Sequence, residues 1–324
     1  MRSWILLVVL WAGPALAGAV DPGFYHRLHQ VERWQQAGDY RKAIARLRRL
    51  QTQARSGLER ALVQTYRAYA WLGLDRLDDA AGAARAALAY PKLPKDLRVS
   101  LYRLLGQVEI QRGRFREAAI WLARYLNATK TPEPQFRYLA AYAEYRLGRY
   151  RRAIAQLRAA LQARPNPPDA WYQLLLACYL ETRQYHRAET VFRDLLRRHP
   201  GKVRWWRQLA VLYLQQERYH HALAALVLAW HAGRLPRQEL LAIVHLYAQV
   251  GIPEKAARLV RRWRREGKLP DDAKTRKLEA ALWRAAREWD EARVVLAQSH
   301  KPQRHKSADG GRVRNSTASL PDKP

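Results

Sequence analysis

Apolar positions recur along the chain at helical spacing. Tyr172, Leu175, Leu176 and Tyr179 fall at offsets 0, 3, 4 and 7, Trp206, Leu209, Ala210 and Tyr213 repeat the pattern, and Tyr102, Leu105, Gly106 and Glu109 follow it again. Such offsets mark one face of an α-helix. A second pattern follows each of these. A large residue stands three before an alanine as Tyr40 and Ala43, Leu77 and Ala80, Phe115 and Ala118, Tyr150 and Ala153, Tyr185 and Ala188, Tyr219 and Ala222, Pro253 and Ala256, and Trp289 and Ala292. The alanines are 37, 38, 35, 35, 34, 34 and 36 residues apart. Four residues beyond them come Leu47, Ala84, Leu122, Leu157, Phe192, Leu226, Val260 and Leu296. The unit predicted is a pair of antiparallel helices, with large side chains of the first wedged against the small alanine of the second. Pro165 and Pro200, twelve residues past their alanines, end the second helix because proline cannot continue it.

The order W-x2-L-G-x2-Y, then A-x3-F, then P, at a period near 34, resembles the tetratricopeptide repeat. The resemblance implies an all-α fold, an α-solenoid of about eight helix-turn-helix units forming a right-handed superhelix. The units fall near 24–57, 61–94, 99–132, 134–168, 169–202, 203–236, 237–270 and 273–299, within a repeat domain of 18–298. The first, second and eighth copies match least, and terminal units are expected to be atypical because they cap a stack. The longer spacing among the first three predicts extended turns, such as P-K-L-P-K-D at 91–96.

Both ends read differently. Residues 1–17 carry Arg2, an apolar run from Trp4 to Ala12, Gly13-Pro14, and Ala15-Leu16-Ala17. This is the layout of a secretory signal peptide, too short to span a bilayer comfortably. Cleavage is expected after Ala17, with Ala19 as the other site, leaving an exported, soluble periplasmic protein with no membrane-spanning segment. Residues 299–324 are polar, basic and rich in Gly, Pro and Ser, and are expected to be a disordered tail.

Charge changes the picture of partners. The 324 residues carry 59 Lys and Arg against 28 Asp and Glu, a formal net charge of +31. The cations are spread along the chain, which fits a solvated surface and also raises the prospect of an anionic partner. The single cysteine, Cys178, sits in an apolar run, so neither an internal disulfide nor a cysteine metal site is expected. His26, His29, His220 and His221 read as helix-surface residues. No phosphate loop, dinucleotide fingerprint or G-x-S-x-G occurs. Neither enzyme activity, a cofactor nor a metal is expected. The export signal and the core placement of most aromatics argue against nucleic acid.

A partner surface is therefore sought on the first helices, which line the concave face of such arrays. With repeat positions four, seven, eight and eleven in the core, positions two, five, nine, twelve and thirteen point into the groove. The partner-binding residues expected there are Arg103, Gln107, Tyr138, Tyr142, Tyr145, Arg146, Gln173, Arg204, Arg207 and His245. The fourth repeat stands out, with three tyrosines and an arginine on one face; Tyr and Arg dominate interface hot spots. The other reading of these tyrosines is packing against neighbouring first helices. A groove with Arg103, Arg146, Arg204 and Arg207 favours an acidic or carboxylate-bearing segment.

Over 171–264 the resemblance narrows. W-Y-Q-L-L-L-A-C-Y-L-E-T-R-Q-Y-H-R-A, the tandem W-W-R-Q-L helix, and G-I-P-E-K-A-A are similar to exported tetratricopeptide proteins of Gram-negative bacteria described as components of TonB energy-transduction systems. That resemblance implies a periplasmic scaffold whose partners are TonB, ExbB or ExbD-like proteins. It carries no catalytic or ligand residues. The high Arg content and basic tail depart from the group. Two other expectations stand beside it: a module binding anionic envelope polymer, and a helper subunit of a polysaccharide-export or secretion complex.

Overall fold

The computed structural model describes residues 20–299, so the expected signal peptide and nearly all of the expected tail lie outside the described residues. Sixteen α-helices and no strand occur among the described residues. The first helices of the pairs are α1 (Pro22–Gln36), α3 (Gly57–Gly73), α5 (Lys95–Gln111), α7 (Pro134–Arg146), α9 (Asp169–Glu181), α11 (Val203–Leu214), α13 (Arg237–Gln249) and α15 (Ala273–Ala285). Their partners are α2 (Tyr40–Gln53), α4 (Leu77–Leu88), α6 (Phe115–Ala128), α8 (Tyr150–Gln162), α10 (Tyr185–Arg198), α12 (Tyr219–Ala232), α14 (Pro253–Arg265) and α16 (Trp289–Ser299). The large residue of the large-x2-Ala pattern is thus the first residue of every second helix. All eight alanines are buried. The chain divides into two compact units between Val191 and Phe192, inside α10.

Helix starts follow local chemistry. Asp21 and Asp272 accept the backbone N–H of Phe24 and Thr275, each at 2.7 Å. Ser56 and Glu59 form a reciprocal capping box that opens α3. Pro22, Pro134 and Pro253 stand in first turns, where the missing N–H has no intrahelical partner to lose.

Every turn inside a pair has one residue with left-handed backbone, always two before the second helix begins. Gly38, Gly113, Gly148 and Gly251 hold this place in four repeats, and Asp75, Arg183, Glu217 and Arg287 hold it with φ between 54° and 63°. A Cβ in this conformation costs about 1–2 kcal/mol, and glycine gives back about 0.5–1 kcal/mol through its looser unfolded chain. Glu217→Gly is therefore expected to stabilise the second unit by about 0.5–1 kcal/mol, read as a rise in urea midpoint at unchanged slope.

The extra residues among the first three repeats are not taken up as expected. The segment between α4 and α5 is residues 89–94, like the 163–168 segment between α8 and α9, and Lys95 and Asp96 already lie in helix. What lengthens these repeats is an added helical turn: α3 and α5 have 17 residues against 13 in α7 and α9. A further turn buries apolar side chains such as Leu97 and satisfies its own backbone, which a longer loop does not.

Packing is tight where the pattern predicts it. A Cβ on Gly106 would lie 2.6 Å from the side chain of Leu122, which is four residues past the repeat alanine Ala118. The core is wider than the expected face. Position three (Val63, Leu101, Phe136, Trp171, Trp205) and position ten (Ala70, Val108, Ala143, Cys178, Leu212) are buried, whereas the position-four aromatics Tyr102, Tyr172 and Trp206 are only half-buried. An internal first helix touches helices of its own and adjacent repeats, so two stripes are shielded rather than one.

Candidate functional site

In three repeats the position-five side chain reaches the start of the next first helix. Arg103 on α5 donates to the Glu133 carboxylate at 2.6 Å, and its guanidinium lies 5.5 Å from the Phe136 ring centre. Tyr138 on α7 stacks on Trp171 of α9, with ring centres 5.4 Å apart and planes 10° apart. In the second unit Arg207 on α11 donates its Nε to Glu239 of α13 at 2.6 Å. Three of the ten expected groove residues are thus engaged in joining successive repeats. For Tyr138 this is the neighbour-packing alternative.

The fourth repeat retains a polar and aromatic cluster. The Arg146 guanidinium lies 4.1 Å above the Phe115 ring and donates to the Tyr142 hydroxyl at 3.0 Å. Phe115 and Tyr142 meet edge-on with ring centres 5.8 Å apart. Tyr145 packs against Tyr150 at 5.6 Å. Burial pushes the phenols of Tyr138 and Tyr145 above their ordinary range, so both are neutral near pH 7. Arg146 is exposed and meets no carboxylate among the described residues. Held against two rings, it presents its remaining N–H groups with little rotamer freedom left to lose. Such a guanidinium can take a carboxylate in a charge-assisted, bidentate pair.

The other expected residues lie apart from this cluster in varied settings. Gln107 and Gln173 are half-buried, and Gln107 makes an interaction within the chain. Arg204 is exposed, 5.7 Å from the Trp205 ring centre, and His245 is exposed. Sequence reasoning missed Phe115, which supplies the ring beneath Arg146. Its place as first residue of a second helix was readable, but its closeness to the end of the next first helix was not.

Buried carboxylates lie outside this face. Glu109 is fully buried, 2.6 Å from Arg85 and 3.0 Å from Arg112, and Arg112 also pairs with Asp78. Glu279 is fully buried beside Arg261 at 2.7 Å and Arg264 at 2.9 Å, and the Trp283 indole N–H points to it at 3.3 Å. These are structural ion pairs. No group of three or more His, Cys, Asp or Glu among the described residues is arranged to hold a metal. His26, His29, His220 and His221 are exposed, and burial pushes the Cys178 thiol up to about 12.

Arg276, and next to it Arg264, hold the Asp271 carboxyl down at about 2. A depressed folded value gives stability that is present above the unfolded carboxylate range and is lost as pH falls through the folded value. Wild type and Asp271→Asn are therefore expected to differ in urea midpoint near neutral pH and to converge as pH drops from about 4 to about 2.

A family model for subunit 3 of the anaphase-promoting complex, or cyclosome, matches residues 111–195, and a tetratricopeptide repeat model matches residues 179–235. No curated protein matches the chain. Among solved structures, the C-terminal part of a TPR repeat-containing protein from Cytophaga hutchinsonii is 14% identical with a TM-score of 0.54, covering 76% of this chain and 97% of that one. A tetratricopeptide repeat protein from Parabacteroides merdae is 13% identical with a TM-score of 0.47, covering 81% of this chain and 99% of that one. YrrB, a TPR protein with an unusual peptide-binding site, is 18% identical with a TM-score of 0.46, covering 53% of this chain and 86% of that one. No helix of the described residues is long and apolar enough to cross a membrane. The recurring helix pairs and the buried alanine seam make the described residues an all-helical repeat array of the tetratricopeptide-like solenoid fold, and residues 179–235 match the tetratricopeptide repeat model itself.

Proposed function

We propose that the chain is a non-enzymatic periplasmic adaptor that holds a segment of a partner protein against the fourth repeat, in an outer-membrane transport system of the TonB–ExbB–ExbD type. The observation that carries the binding site is Arg146, pinned on Phe115 and Tyr142 with its free N–H groups outward. The partner segment brings a carboxylate to Arg146 and packs apolar atoms on the Tyr142 and Tyr145 rings. Tetratricopeptide repeats as a class are non-catalytic protein-binding modules. Export is supported by the signal-like sequence of residues 1–17, and the transport system by the resemblance over 171–264. Crosslinking in the periplasm followed by mass spectrometry tests the reading. The double variant Tyr142→Ala with Arg146→Ala is expected to lose a discrete set of protein partners, TonB-like components among them. An unchanged set removes the fourth-repeat site.

A second reading, binding of anionic envelope polymer, is favoured by one observation. Arg114, Arg116, Arg151, Arg152 and Arg183 are exposed at the turns of the third, fourth and fifth repeats and meet no carboxylate among the described residues. Polymer binding of this kind weakens steeply with salt, whereas an aromatic-anchored peptide site weakens modestly.

A further inference from the structure

The second unit holds an apolar cleft of about 440 Å³ that none of the expected residues lines. Its walls are the end of α10, α11 and α12, through Leu196, Trp206, Leu209, Ala224 and Leu228. Leu228 is 44% exposed, and Trp206 is half-buried. Arg193 and Arg197, one turn apart on α10 and both exposed, stand on one rim, and His221 stands on another. The volume lies within the range of pockets that take up ligand-sized groups, roughly 300–1,000 Å³.

We infer that this cleft docks one face of an acidic amphipathic helix from a partner protein. Three observations fix that occupant. The floor is apolar, and the Trp206 indole N–H already donates to the Pro200 carbonyl at 2.9 Å. An extended segment would bring backbone N–H and C=O groups to walls with almost nothing to pair them, whereas a helix satisfies its own backbone. The rim is cationic, so the residues flanking the inserted apolar stripe are carboxylates. Arg197 lies 3.6 Å from Asp194, but both side chains are exposed, so that pair is weak and yields to a closer partner. Charge also disfavours this chain as its own ligand: it carries +31 overall, and residues 300–324 hold six Lys and Arg against two Asp. The inference rests on the interaction-scaffold reading but uses a separate set of residues.

The test uses the full chain and three fluorescein-labelled peptides of about five helical turns, followed by anisotropy at physiological salt. The first places leucines at i, i+4 and i+7 with flanking glutamates, the second has lysine for every glutamate, and the third is a scramble of the first. The first is expected to bind with a Kd on the order of 10 µM, with the lysine and scrambled peptides at least about tenfold weaker. Leu228→Asp, at an exposed position, and Ala224→Trp, which fills the cleft without adding charge, each weaken it about tenfold or more. Arg193→Ala with Arg197→Ala weakens it about fivefold. Tyr142→Ala with Arg146→Ala leaves it unchanged, which separates failure here from failure of the fourth-repeat site. Equal binding of the scramble reduces the effect to charge and overturns the inference. So does no binding by any peptide, indifference to both cleft variants, or self-association of the chain that Leu228→Asp abolishes.

Discussion

Trp171→Ala is expected to lower the unfolding free energy of the first unit by about 3–5 kcal/mol, the usual cost of truncating a buried tryptophan. The side chain is fully buried in α9, with Tyr138 of α7 stacked on one face and the Arg164 guanidinium 5.6 Å from the ring centre. Removing it deletes the repeat's own core residue and also the surface on which the preceding repeat rests. Stability of such arrays is a sum of repeat and interface terms, so one substitution weakens both. Tyr138→Ala, which keeps the tryptophan, is expected to cost less. Urea unfolding followed by far-UV circular dichroism ranks the two; a loss under 1 kcal/mol for Trp171→Ala would contradict the packing role.

The second large effect is expected at Glu109. This carboxylate is fully buried between Arg85 of α4 and Arg112, the residue that caps the end of α5, and the Arg112 side chain is only 10% exposed. Glu109→Ala leaves Arg112 desolvated with only the exposed Asp78 beside it. Breaking a buried pair by removing one partner costs about 3–5 kcal/mol, more than the intact pair is worth. Adding Arg112→Met to Glu109→Ala is expected to recover a large part of the loss, since no buried charge is then stranded. Calorimetric melts of the single and double variants check this. Equal destabilisation of both would show that packing, not the stranded charge, sets the cost.

Much of this fold was readable because its main device is local and repeated. Tyr40, Leu77, Phe115, Tyr150, Tyr185, Tyr219, Pro253 and Trp289 each begin a second helix, three residues ahead of a buried alanine. The second buried stripe was also present in sequence, as Leu101 with Val108 or Trp171 with Cys178, seven apart. It was missed because a single-face reading suits a helix covered on one side, and these are covered on two. The left-handed turn residue escaped notice because only half of the repeats mark it with glycine; Asp75, Arg183, Glu217 and Arg287 carry no such signal.

The candidate site was less legible. Position five looked open to a groove; Arg103, Tyr138 and Arg207 also contact the next repeat, and Arg207 remains exposed. Periodicity places a side chain on a face without saying how near the next helix comes. Phe115 under Arg146, and the cleft between α10, α11 and α12, are products of packing between helices and have no signature within any one of them.

Photo-crosslinking from position 142 tests the central claim most directly. With a benzophenone amino acid in place of Tyr142, exposure to light in cells is expected to give a discrete protein adduct, sharply reduced by Arg146→Ala and unaffected by Leu228→Asp. No adduct, or one indifferent to Arg146→Ala, would contradict the assignment of the fourth repeat as the surface that grips a partner.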